Sequence, residues 1–355
     1  MKYLLSVITP CFNADIPMLE RAFKSLRDQT LGFENIEWII VSHNSAGETT
    51  ERIIAMTNTY QNVSVHVLKD ENKTPSAPRN YGLGKASGDY IGFLDADDWF
   101  EPEVFKEALG RIQETDAEIA AFHFRSASAG DDIQTVPPFT LLDQTVDVIV
   151  AERENRDSRM FTHIMGLVVW SKVFKRDFLE KHGLRFDNDV PFTEDALFNI
   201  ECFNKAKRIC FLPRLIGYNY FLRGSSITQN INKTPDEVVR IAGGMAKTFE
   251  RGLTCGLYMT GFIWGCLCFE AALLLASENL TMSERRAVFA ILSPYLKTEK
   301  MEIDYAQKSY GNDGKTMRKF PKAVIGHPRF THCFVSLMKA LNVDLASKLK
   351  SHQQY

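Results

Sequence analysis

At 355 residues the chain exceeds the usual size of one domain, so one large domain with an appendage, or two domains, is expected. Its 45% hydrophobic and 24% charged residues exclude extended disorder, and a net charge of -2 excludes wholesale binding of nucleic acid. Seven cysteines, an odd number with no repeated spacing, fit reduced thiols better than a disulfide framework and point to the cytoplasm.

In chain order, the N-terminal apolar run has no small-residue cleavage site after it and reads as a first strand, Leu4 to Thr9, ended by a turn at Pro10-Cys11-Phe12-Asn13. Further strands are predicted at Trp38 to Val41, Val63 to Leu68 and Tyr90 to Leu94. Helices are predicted between them at Met18 to Gln29, Glu48 to Thr59 and Ala77 to Ala86. Such alternation implies parallel strands covered by helices, with the loops after the strands forming one functional edge. A helix over Pro102 to Glu114 and a strand over Glu118 to Phe124 continue the pattern until a Ser/Gly/Pro-containing loop from Ser126. Residues 168–183 read as a strand or turn leading into a short helix that Gly183 ends; an acidic loop then runs into a helix near Thr193, and 208–222 is strand-rich.

From about residue 235 the pattern is helix alone. Within it, Tyr258 to Ala276 approaches bilayer length but carries Glu270, which favours a buried helix over a span. Residues 297–355 hold 11 Lys and Arg against 5 Asp and Glu. That basic segment suits an anionic lipid surface, a phosphorylated substrate or simply a solvated helical face.

The stretch Gly88 to Glu103 sets an apolar strand against Asp95, Asp97 and Asp98. Carboxylates two residues apart at a strand end can converge on one hard cation, which cancels their repulsion; Mg²⁺ or Mn²⁺ held that way keeps positions open for a diphosphate. The competing reading is that Asp97 and Asp98 cap the helix beginning near Pro102 or line a solvated turn. A second acidic pair, Glu194 and Asp195, opens an apolar-periodic helix, where Thr193 or Asp195 can equally be a cap.

Taken in order, these blocks resemble a family 2 glycosyltransferase of the GT-A fold, the nucleotide-sugar-dependent type, over about residues 4 to 230. The blocks are LSVITPCFNA, SAPRNYGLGKASGDYIGFLDADDWFEPE, VVWSKVFKRDFLEKHGLRF, TEDALF and YNYFLRGSSIT. The resemblance implies an α/β fold with a mostly parallel central sheet over 1–230, and a C-terminal helical region, 231–355, that shapes the acceptor site, an oligomer contact or a membrane-surface contact. It implies an inverting transfer, dependent on Mn²⁺ or Mg²⁺, from a nucleoside diphosphate sugar, by default a UDP-sugar, to a glycan or lipid-linked acceptor in bacterial surface-polysaccharide synthesis. Asp195 matches the general base, with Glu194 as orienting partner or second candidate. Asp95 and Asp97 match the metal-binding Asp-x-Asp, with Ala96 between them in the donor site. Pro10, Phe12 and Asn13 in the first turn, Arg79, Lys172, Arg223 and Ser225 match donor-site positions; Arg79 is alternatively a structural partner of a nearby carboxylate.

One block departs from the pattern. Where relatives carry Asp-Asp-Gly-Ser, whose acids contact the nucleobase, this chain has Ser42-His43-Asn44-Ser45. Ser42 can hydrogen-bond a base edge, His43 can stack or donate, and Asn44 can hold the turn, because Asn tolerates the left-handed region. The missing acids motivate one competing reading, a catalytically silent sugar-nucleotide-binding scaffold. A nucleotidyltransferase lacks its expected Gly/Arg-rich loop here. Gly82 to Gly88 has the wrong spacing for a dinucleotide fingerprint, and Cys266-Leu267-Cys268 has no partner pair for zinc.

Overall fold

The computed structural model describes residues 2–71, 74–128, 133–134, 148–152, 168–222, 234–254 and 280–296. The described residues divide into two compact units: one holds those up to Glu152 with 168–188 and 195–222, the other 189–194, 234–254 and 280–296.

In the first unit, β1 (Leu5–Cys11), α1 (Ile16–Arg27), β2 (Ile36–His43), α2 (Gly47–Thr57), β3 (Val63–Leu68), α3 (Ser76–Leu83) and β4 (Tyr90–Phe93) follow the alternation predicted from the apolar runs. β5 (Trp99–Phe100), α4 (Val104–Thr115), β6 (Ile119–Ser128), β7 (Ile133–Gln134) and β8 (Ile149–Glu152) come next, then β9 (Lys172–Lys175), α5 (Arg176–Lys181), α6 (Glu194–Lys205) and β10 (Arg208–Leu222). One sheet runs β3-β2-β1-β4-β9-β6-β10-β5, with β7 on β6 and β8 on β10.

β1 to β4 are mutually parallel. The chain lays β2 and β3 on one side of β1 and β4 on the other. Strand order therefore reverses beside β1, and the crevice at the carboxyl ends of β1 and β4 is where open α/β sheets bind ligands. The second half is mixed: β9 is antiparallel to both β4 and β6, β10 is parallel to β6, and β5 is antiparallel to β10.

Burial explains the parallel half. Leu5, Val7, Ile8, Ile39, Ile40 and Val41 are fully buried, as strands covered on both faces require. α1 seals one face with Leu19, Ala22 and Leu26, and its Phe23 stacks on Trp38 with centroids 5.4 Å apart. Asp15 caps that helix by accepting from the Met18 amide. Gly88 permits the close passage before β4, since a Cβ there would lie 2.6 Å from the Ser6 nitrogen.

The second unit contains α7 (Pro235–Thr254) and α8 (Met282–Leu296). Each opens on a Thr-x-x-Glu box, Thr234 with Glu237 and Thr281 with Glu284. Among the described residues no helix is long and apolar enough to cross a membrane. The segment Tyr258 to Ala276 and the basic segment 297–355 lie outside the described residues.

Candidate functional site

The acidic stretch after β4 folds as a tight turn in which the Asp98 amide donates to the Asp95 carbonyl at 3.1 Å. The turn sends its three carboxylates to different fates. Asp98 points inward, fully buried, accepting from the Tyr218 hydroxyl at 2.8 Å and the Phe221 amide at 2.7 Å. Burial drives its carboxyl well above the usual range, the charges of Asp97 and Asp95 adding to the effect and the two hydrogen bonds opposing it. The same Tyr218 hydroxyl accepts the Asp95 amide at 3.1 Å, so one phenol from β10 fastens both ends of the turn. From α1, Arg21 donates to the Asp97 carbonyl at 2.7 Å and lies over the Trp99 and Phe221 rings. Neither Asp97 nor Asp98 caps α4, whose N-terminal residue Glu103 makes no side-chain cap, so the capping alternative does not hold.

Asp95 and Asp97 remain at the strand end. Burial pushes the thiol of Cys11, at the end of β1, up, and the charges of both acids push it further. Both acids follow the carboxyl end of β4, and their charge is felt at the end of β1. Among the described residues no group of three or more His, Cys, Asp or Glu side chains is gathered to hold an ion by itself. A two-carboxylate arrangement is one that a substrate diphosphate completes.

Arg79, near the middle of α3 and 3% exposed, spans two of the acids. Its guanidinium donates to Asp95 Oδ1 at 3.0 Å and to Asp195 Oδ1 at 2.7 Å. The structural pairing that the sequence left open for this arginine is therefore present, with two partners 100 residues apart in the chain. Asp195, the second residue of α6, also accepts the Val169 amide through Oδ2 at 3.3 Å. Burial raises its carboxyl; Arg79 opposes this and the charge of Asp95 reinforces it. Thr193, two residues earlier, sits at φ 71°, a costly conformation for a β-branched residue and one that clusters at functional sites. Glu194 opens the helix itself.

Lys172 lies elsewhere than a phosphate contact would need. Expected as a donor-site residue, it is fully buried in β9 with its Nζ donating to the Val168 carbonyl at 2.5 Å and lying 5.8 Å from the Phe203 ring. Burial lowers its ammonium to about 7, with Asp195 opposing the shift. Asn199, one turn along α6 from Asp195, donates to the same carbonyl at 3.0 Å.

At the ends of β1 and β2 two turns are laced together. Asn13 and Asn44 both adopt left-handed φ, 44° and 52°, the latter as the replacement for glycine required. Asn13 receives the Ala46 amide on its Oδ1 and donates its own amide to Ser45 Oγ, which in turn donates to the Cys11 carbonyl. Ser42 is buried with its hydroxyl on Thr50 Oγ1 at 2.7 Å, turned into the protein and away from a base edge. His43, expected to stack on or donate to a base, is buried as well, its Nε2 2.8 Å from Asp70 Oδ1. Asp70, just beyond β3 and 35% exposed, thus brings a carboxylate to the rim where residues 42 and 43 lack one. Its signal in the sequence was an acid two residues past a predicted strand. Pro10 is in β1 itself, and Phe12 projects from the turn with 67% of its surface exposed, placed for stacking. Ala96 is half-buried in the β4 turn. Arg223 and Ser225 lie outside the described residues.

Residues 6–183, half of the chain, match glycosyl transferase family 2. The chain belongs to that family. The α/β fold expected of that family is the one present. Among curated relatives, the uncharacterized glycosyltransferase EpsJ of Bacillus subtilis is 28% identical over 64% of this chain and 63% of its own. The minor teichoic acid biosynthesis protein GgaB of the same organism is 31% identical over 64% of this chain and 24% of its own. The chain therefore spans less than two thirds of the length of either. Among solved structures, Staphylococcus aureus TarS 1-349 in complex with UDP-GlcNAc shares the fold with a TM-score of 0.64 at 17% identity, covering 96% of this chain and 92% of that one.

Proposed function

We propose that this family 2 enzyme is an inverting, metal-dependent transferase that moves a sugar from a nucleoside diphosphate donor to a glycan or lipid-linked acceptor of a bacterial surface polymer, with Asp195 as general base. The observation that carries this reading is Arg79 spanning Asp95 and Asp195, which brings the strand-end acid suited to a donor diphosphate and a separate acid, 16% exposed, within reach of one guanidinium. In a single displacement the acceptor oxygen attacks the anomeric carbon, its proton passes to Asp195, and the bond from that carbon to the diphosphate oxygen breaks with the electron pair leaving on the diphosphate. Asp97 and Asp95 fit a Mn²⁺ or Mg²⁺ ion, which when bound would neutralise charge on the leaving diphosphate. Asp98 is excluded from that role by its inward hydrogen bonds.

UDP is the default nucleotide, supported by the UDP-GlcNAc complex of the TarS structure, and the teichoic acid role in the name of GgaB supports a surface-polymer acceptor. At the base, Asp70 replaces the acids missing at 42 and 43. Arg223 and Ser225 are kept as donor contacts, and Glu194 as the partner of Asp195.

Thermal shift with UDP-, GDP-, CDP- and dTDP-sugars, with and without Mn²⁺, tests the donor, since a ligand of the folded state raises its apparent stability. Metal-dependent stabilisation by one nucleotide is expected; silence throughout would count against a donor among these four nucleotides. Asp195→Asn should keep that stabilisation while transfer falls by about 10² to 10⁴ in kcat, the usual worth of a positioned base.

A further inference from the structure

Lys172 and Asp195 do not touch, yet they grip the two ends of one peptide group. The carbonyl of Val168 and the amide of Val169 belong to the same planar amide. Lys172 Nζ donates to that carbonyl at 2.5 Å, and the amide at its other end donates to Asp195 Oδ2 at 3.3 Å. Asn199 Nδ2 adds a second donor to the carbonyl at 3.0 Å, which occupies both of its lone pairs. Arg79 holds Asp195 Oδ1 from α3, so both oxygens of the carboxylate are fixed.

Packing alone does not account for the ammonium. Lys172 is fully buried among Phe203, Cys202 and Asn199 of α6, an environment that disfavours its charge, and a carbonyl is a weaker partner than a carboxylate. A methionine would fill nearly the same space without that cost. What the ammonium adds is polarisation: hydrogen bonds in a chain strengthen one another, and a cation on the carbonyl makes the amide at the far end a better donor. Asp195 is where that donor points.

We propose that Lys172 is a positioning residue of the transfer reaction, fixing Asp195 through a polarised Val168–Val169 peptide. This rests on the reading of Asp195 as general base. Lys172 touches neither acceptor nor donor; it sets the orientation of the group that does.

The test is spectroscopic first. In protein labelled with ¹⁵N-valine, the Val169 amide proton should move upfield in Lys172→Met, and by less in Lys172→Gln, whose neutral amide still donates to the carbonyl. Both variants should melt no lower than the parent. Lys172→Gln carries the test alone should the methionine variant fail to fold. UDP release from UDP-GlcNAc with Mn²⁺ should fall about tenfold or more in kcat for Lys172→Met, the donor KM staying within about twofold, as for partners that orient a reacting group. A Val169 proton that stays in place, or a raised donor KM with kcat unchanged, overturns the proposal. Asp195→Asn separates the two layers. Full turnover by that variant overturns the base reading itself; its inactivity together with an unmoved Val169 proton in Lys172→Met overturns the peptide link alone.

Discussion

The two halves of the sheet hold their polar groups by opposite means. At the ends of β1, β2 and β3 the turns are laced by neutral side chains and backbone, Asn13 to Ala46, Ser45 to Cys11, Ser42 to Thr50, with an ionisable contact between His43 and the half-exposed Asp70. Around β4, α6 and β10 the charges go inside: Arg79 and Asp98 are buried and Asp195 nearly so, each held by named partners. The exposed bonds of that lacing, Asn13 with Ala46 and Ser45, are cheap to alter, because water takes over from a lost partner. Interlocked buried charges are not, because removing one strands another. The rim is therefore free to vary in sequence, whereas the floor is committed to one arrangement.

The sharpest way to break this contrast is Arg79→Met, which leaves Asp95 and Asp195 without their shared cation. A loss of about 3 kcal/mol or more is expected in denaturant unfolding, with activity abolished. A loss below about 0.5 kcal/mol would put the floor on the same footing as the rim. Next comes Tyr218→Phe, which strips Asp98 of a donor and the Asp95 amide of its acceptor; about 1–3 kcal/mol is expected, read as a shift in melting midpoint. Metal-dependent donor binding should weaken with it, since the turn carrying Asp95 and Asp97 loses its anchor.

Lys172 offers a pH-dependent version. Its ammonium titrates near 7 in the fold and near its ordinary 10.5 when unfolded, so the unfolded chain holds the extra proton between those values. Stability therefore rises with pH across that window, and the penalty of burying the cation is complete below about 7. Lys172→Met should accordingly out-melt the parent most clearly at neutral pH, and the gap should close as pH rises toward 10. A gap independent of pH would mean the ammonium is not what the fold strains to hold. The smallest effect is expected on the rim: Asp70→Asn should leave stability within about 0.5 kcal/mol while changing the ranking of nucleotides in the thermal-shift panel.

Much of the rim and its strands was legible from residues alone. Apolar runs alternating with amphipathic ones located β1 to β4, and carboxylates at a strand end marked the β4 turn. The mixed half was harder to see for definable reasons. β5 has two residues and β9 four, too short for any period to show. Tyr218 and Asp98 meet across 120 residues, and no local pattern announces such a pair. Lys172 was expected at the donor site, and no local pattern shows that the Val168 carbonyl and the Phe203 ring enclose it instead. Ser42 and His43 were placed at the right edge but given the wrong direction, because which way a side chain turns at a strand end depends on neighbours such as Thr50 and Asp70 that arrive later in the chain.

Among the described residues, β4 and β6 are joined through β9 alone. A four-residue strand from position 172 thus links the parallel half of the sheet to its mixed half, pairing with Tyr90 to Gly92 on one side and Ile119 to Ala121 on the other. Pairings between elements so far apart in the chain are slow to form, because the loop entropy is met first. An intermediate that lacks this strand would have β1 to β4 paired with one another and Lys172 not yet enclosed beside Val168.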